Sequence, residues 1–90
     1  MTRYIATYDI SDDLQRSRIA RVLEDYGYRI QLSVFEMNLQ DSELTEVQRQ
    51  LGMLLSKEDR LELIPIDTDR RRKRLRWMGS DLNEPVIVVK

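Results

Sequence analysis

Tyr8-Asp9-Ile10-Ser11-Asp12-Asp13 opens, and Gln31-Leu32-Ser33-Val34-Phe35-Glu36 closes, the stretch whose reading decides the fold. Arg3 to Ile10 places Tyr, Ile, Thr and Ala in a run suited to a strand, with Asp9 at its end. Ser11-Asp12-Asp13 is a helix-start cluster, and Asp12 stands three residues ahead of Gln15 as in a capping box. Ile19, Val22, Leu23 and Tyr26 then recur at helical spacing, and Gly27 is the expected C-cap. Arg16, Arg18 and Arg21 fall on the other faces of that helix. Tyr28 to Leu39 is rich in β-branched and aromatic residues and reads as one long strand or as two short ones folded at Leu32-Ser33.

Further along, Asp41-Ser42 starts a second helix with Leu44, Val47, Leu51 and Leu54 on its apolar stripe, slightly weakened by Gly52. Arg60 to Ile66 is a fourth strand, and Pro65 marks its end or an exposed edge. With the two-strand reading of residues 28–39, the order is β-α-β-β-α-β. This is the ferredoxin-like α+β plan, an antiparallel sheet covered on one face by two helices. The uncovered face calls for a partner, and in a chain of 90 residues a second copy packed sheet to sheet is the expectation. Residues 1–66 are thus read as the core. Residues 67–90 are read as a polar, basic connection followed by an extra C-terminal strand, Val86-Ile87-Val88-Val89. So short a β-branched run must pair with a sheet edge, its own or the mate's.

Composition narrows the chemistry. The chain contains neither cysteine nor histidine, which removes disulfides, thiolate sites, imidazole ligands and the usual general base. Any metal must be a hard cation held by oxygen, with Mg2+ or Mn2+ the natural candidates. No apolar run approaches membrane-spanning length and the N-terminus lacks a signal-peptide layout, so a cytoplasmic protein with no membrane partner is expected. The net charge of −1 hides an uneven distribution: every residue from Arg70 to Arg76 except Leu75 is basic. Such a ridge is either a solubilising connection, partly neutralised by Asp67, Asp69 and Asp81, or a contact for nucleic-acid backbone.

A carboxylate at a strand mouth with arginines and a serine nearby suits a divalent metal and a phosphodiester. A strand-end aspartate is also a common turn-former, and Asp12 and Asp13 are read as helix caps and dipole partners rather than ligands. Arg16 and Arg18 are solvated helix surface or phosphate clamps, for which the guanidinium fork is well shaped. Arg21 and Arg29 are weaker candidates of the same kind. Ser33 turns the chain or bonds a phosphate. Glu36 reads as a solvated strand residue, and Trp77 as a tail anchor or a base contact.

Taken together, Tyr8-Asp9-Ile10-Ser11-Asp12-Asp13, Arg16 and Arg18, Leu23-Glu24-Asp25-Tyr26-Gly27 and residues 31–36 resemble one family, the small CRISPR-associated endonuclease of the adaptation module called Cas two. The resemblance runs from the first strand through the fourth. It implies a homodimer formed through the sheets, with Asp9 of both subunits flanking one divalent ion as catalytic and metal-binding residue. It implies nucleic-acid contacts for Arg16, Arg18 and Ser33, to which the basic run Arg70, Arg71, Arg72, Lys73 and Arg74 is added. Read from the residues themselves, Phe35 is core or dimer interface, with base stacking the minor alternative; Tyr8 is sheet packing at that interface or a phosphate contact; and Val86, Ile87 and Val88 of the tail strand are expected at the dimer interface. The implied activity is metal-dependent cleavage of RNA or double-stranded DNA, and the implied partners are nucleic acid and the CRISPR-associated integrase during spacer acquisition. Two alternatives stand beside it: a non-catalytic DNA-binding scaffold, and a toxin-like ribonuclease of the VapD type, which shares the fold and the strand-end aspartate. After Ile66 the chain departs from many relatives, which carry a cysteine-containing loop there.

Overall fold

The structure, a computed structural model, describes residues 1–66, 74–78 and 85–88. The elements run β1 (Thr2–Asp9), α1 (Asp13–Glu24), β2 (Gly27–Gln31), β3 (Val34–Leu39), α2 (Asp41–Leu54), β4 (Arg60–Pro65), β5 (Arg74–Met78) and β6 (Val86–Val88). Residues 28–39 thus form two strands with the turn at Leu32-Ser33. The sheet order is β2-β3-β1-β4-β5-β6, and every pairing is antiparallel. Its first four strands carry the expected ferredoxin-like topology.

Alternation along β1 sets the layers. Tyr4, Ala6 and Tyr8 are buried, while Arg3 and Asp9 are exposed and Ile5 and Thr7 half-buried. A strand turns successive side chains to opposite faces, so one parity meets the helices and the other the open face. Phe35, Met37 and Leu39 of β3 and Leu61 and Leu63 of β4 join the same core as Ile19 and Leu23 of α1 and Val47 and Leu51 of α2. The open face is built from Ile5, Thr7, Val34, Glu36, Glu62 and Ile64, with Arg3, Asp9 and Arg60 at its margins. It is neither a core nor a fully solvated surface.

Asp12 is the N-cap of α1, its carboxylate accepting from the Gln15 backbone N–H at 2.8 Å. The reciprocal half of a capping box is missing because the Gln15 amide reaches away, donating to the Leu54 carbonyl and, at 2.9 Å, to Asp59. Asp59, buried at 5% exposure, also accepts from the Ser56 backbone N–H at 2.8 Å. One side chain therefore ties the start of α1 to the end of α2 and the start of β4. On α2 the returning half of such a box is present, the Gln40 backbone N–H donating to the Glu43 carboxylate at 2.9 Å.

The C-cap of α1 is Asp25 in ordinary helical geometry, so Gly27 does not serve there. It opens β2, where a Cβ would collide with the Glu36 carbonyl oxygen and stand 2.6 Å from Met37 Cγ. The glycine is required by the close approach of β3.

The tail holds two strands rather than one. In β5, Leu75 and Trp77 turn into the core, while Arg74 and Arg76 face Glu62, which accepts 2.7 Å bonds from both guanidinium groups. Val86, Ile87 and Val88 pair with β5, placing the tail strand on the chain's own sheet. Among the described residues, no helix is long and apolar enough to cross a membrane.

Candidate nucleic-acid site at the end of the first strand

Asp9 ends β1 with its side chain exposed, and among the described residues its carboxylate has no hydrogen bond or ion pair. Its neighbours differ on the two faces of the sheet. On the helix side lies an open cleft of about 730 Å³, walled by Tyr8, Asp9, Asp13, Arg16, Arg29 and Ser33, with Leu32 and Ser17 at its rim. On the open-face side lies a smaller recess of about 360 Å³, lined by Thr7, Asp9, Arg60, Glu62 and Arg76 among others. The expected Asp9, Arg16 and Ser33 are thus brought together, with Tyr8 beneath them.

Arg16 is bound to the loop that follows Asp9. It donates to the Ile10 carbonyl at 2.8 Å and the Ser11 carbonyl at 3.0 Å, and it pairs with Asp13. Those contacts order the strand-to-helix turn and hold two acidic side chains on the same cleft. Arg18 is exposed and outside the cleft lining, with no ion pair among the described residues. Arg29 lies over the Phe35 ring at 5.2 Å, within the range of a cation–π contact, and 3.7 Å from Glu24. Ser33 sits in the β2–β3 turn, where its carbonyl accepts from the Tyr8 backbone N–H at 3.2 Å.

Tyr8 and Phe35 do not lie on the open face. Their parity places them under the helices, at 8% and 0% exposure, with ring centroids 6.4 Å apart. A sheet-to-sheet contact would meet Ile5, Thr7, Val34 and Ile64 instead. The Tyr8 hydroxyl donates to the Leu32 carbonyl at 3.2 Å. Burial pushes the Tyr8 pKa up, against the opposing pull of the Arg29 and Arg16 charges.

Of the basic run, Arg74 is engaged with Glu62, while Arg70, Arg71, Arg72 and Lys73 lie outside the described residues. Burial raises the Glu62 pKa, but the hydrogen bonds and charges of Arg74 and Arg76 outweigh it and hold the carboxyl below its usual range. Sequence reasoning passed over Arg60. The antiparallel register sets it directly across from Asp9, a juxtaposition that depends on knowing which residues of β1 and β4 pair.

Among the described residues no three acidic side chains converge on a metal position. At the end of β1 one chain presents a single carboxylate, Asp9, with no partner among the described residues.

A ferredoxin-like sheet with a lone strand-end carboxylate between arginine-lined recesses defines a small α+β domain equipped to meet phosphates. The chain belongs to the family described as CRISPR associated protein Cas2, whose profile matches residues 1–74. It is 39% identical over 93 residues to a CRISPR-associated endoribonuclease Cas2 of Rhodospirillum rubrum, covering 99% of this chain and 75% of that protein. A CRISPR-associated endoribonuclease Cas2 of Synechocystis is 43% identical over 86 residues, covering 94% of each chain. Among solved structures, a hypothetical protein of Thermus thermophilus superposes with a TM-score of 0.71 at 39% identity, over 73% of this chain and 82% of that one. Streptococcus pyogenes Cas2 shares the fold, with a TM-score of 0.68 at 22% identity, over 78% of this chain and 92% of that one.

Proposed function

We propose that this chain is a nuclease subunit of CRISPR adaptation. It pairs as a homodimer through its open sheet face, binds nucleic-acid backbone, DNA or RNA, and presents Asp9 of each copy to one divalent ion, Mg2+ or Mn2+. Support comes from the family membership and from relatives named endoribonuclease or endonuclease Cas2. The observation that carries the reading is the state of Asp9, an exposed carboxylate with no partner among the described residues, at the junction of two recesses lined by arginines. An aspartate that served only the turn would spend its oxygens on the following backbone N–H groups.

When bound, a divalent ion would lower the pKa of water and offset charge developing on phosphorus. The chain's own residues do the rest. Asp9 supplies the hard oxygen ligand, and Arg16 fixes the loop that carries it. Arg29 and Ser33 line the wall where a backbone phosphate would lie. Docking to the CRISPR-associated integrase belongs to the same proposal and rests on the family alone.

The single carboxylate per chain is also what a scaffold subunit with little turnover would show. One experiment separates the two. Purified Asp9→Asn is compared with wild type for Mg2+-dependent cleavage of labelled RNA and duplex DNA, with sedimentation and binding measured in parallel. Cleavage lost by about 100-fold or more with the dimer and binding intact supports the nuclease, since loss of a metal ligand removes its electrostatic contribution. Cleavage by wild type and variant that is equal, or absent in both, overturns the catalytic reading and leaves the scaffold.

A further inference from the structure

The recess on the open face contains four charged side chains, and they sort into two groups. Glu62 and Arg76 are committed to each other, and Arg74 shares the same carboxylate. Asp9 and Arg60 stand opposite one another in the β1–β4 register, both exposed. Directly opposed residues on antiparallel strands have Cβ atoms only about 4.5–5.5 Å apart, close enough for an acid and a base to join. Yet Asp9 and Arg60 form no ion pair, and neither has another partner among the described residues. Among the described residues the recess thus carries one anion and one cation side by side without partners, while Glu62 is held by the two neighbouring guanidinium groups.

We propose that Arg60 is the anion-holding half of the Asp9 site and that its guanidinium binds a non-bridging oxygen of a nucleic-acid phosphodiester beside that carboxylate. This deepens the nuclease reading and rests on it for the purpose of the site. A guanidinium presents a planar fork of donors that matches a phosphate edge. Asp9 alone would repel the same phosphate, so a cation across the strand is what allows the polyanion to approach. Arg16 cannot take this part, because its donors are engaged by the Ile10 and Ser11 carbonyls and by Asp13 on the other side of the sheet.

The test uses binding without metal, so it stands apart from whether the site cuts. Fluorescein-labelled duplex and single-stranded DNA of mixed sequence are titrated in EDTA at several salt concentrations, with wild type, Arg60→Ala, Arg60→Lys, Asp9→Asn and the double variant. Arg60→Ala should weaken binding about tenfold at low salt, the worth of one charge-assisted contact. It should also flatten the salt slope by about 0.9 per lost phosphate on duplex. Arg60→Lys should restore the slope and only part of the affinity. Asp9→Asn should tighten metal-free binding in the wild-type background and lose that effect when Arg60 is Ala, because both changes act on one phosphate. Unchanged affinity and slope in Arg60→Ala, or fully additive effects of the two substitutions, would overturn the assignment. A failed Asp9→Asn cleavage experiment with these binding results intact would remove the nuclease reading and leave Arg60 as a backbone contact.

Discussion

Replacing Phe35 by Ala separates a core residue from an interface residue. The ring is fully buried, stacked on Tyr8 at 6.4 Å and covered by the Arg29 guanidinium at 5.2 Å. Truncating a buried Phe removes its transfer free energy and leaves a cavity, together costing about 3–5 kcal/mol. A chain of 90 residues has a total stability of roughly 5–13 kcal/mol. The substitution therefore removes a large fraction of it, whereas Phe35→Leu should cost only about 1 kcal/mol. Urea unfolding followed through Trp77, the sole tryptophan and itself buried, is the direct assay. Protein concentration must be held fixed, because an associating chain gains apparent stability with concentration. With a slope of about 1 kcal/mol per M for so small a domain, Phe35→Leu should lower the midpoint by about 1 M and Phe35→Ala by about 3–5 M. The reasoning is refuted if Phe35→Ala unfolds at the wild-type midpoint while falling apart as an assembly. That result would mean the ring serves a second copy and not its own core.

Two further substitutions probe the supports of the site. Glu62 has its folded-state pKa held below the unfolded value of about 4.3, so its contribution is present above that pH and is lost as pH falls through the depressed value. Glu62→Gln should cost about 1–3 kcal/mol at neutral pH and flatten the fall of stability below about pH 4.3. Chemical unfolding at a series of pH values reads both effects, and an unchanged acid limb would contradict them. Asp59→Ala strands the Ser56 N–H and one bond of the Gln15 amide, and should cost about 1–3 kcal/mol in a thermal melt. A loss below about 0.5 kcal/mol would mean water satisfies those donors equally well.

The four core strands and both helices were legible because their apolar periods are long and their caps local. β5 was not, although Leu75 and Trp77 alternate with Arg74 and Arg76 at the strand period. The charge of the run drew the reading toward a ridge that contacts nucleic-acid backbone. Its arginines become acceptable in a sheet only because Glu62, 12 and 14 residues away, lies across from them. Between core and interface, the inward placement of Tyr8 and Phe35 was not legible for a related reason. Period two says that neighbours face opposite ways, but not which way is inward until the helices are docked. Asp9 became a candidate from its position at the strand end, while Arg60 could become one only once the pairing register was known.

That β1 carries both the interior ring of Tyr8 and the outward carboxylate of Asp9 on adjacent positions has a consequence for how this protein can change. Deleting or inserting one residue within the strand would swing Asp9 beneath the helices and expel the tyrosine into water in a single stroke. The outward display of that carboxylate and the packing of the core share one reading frame, so the strand should tolerate exchanged side chains far better than a changed residue count.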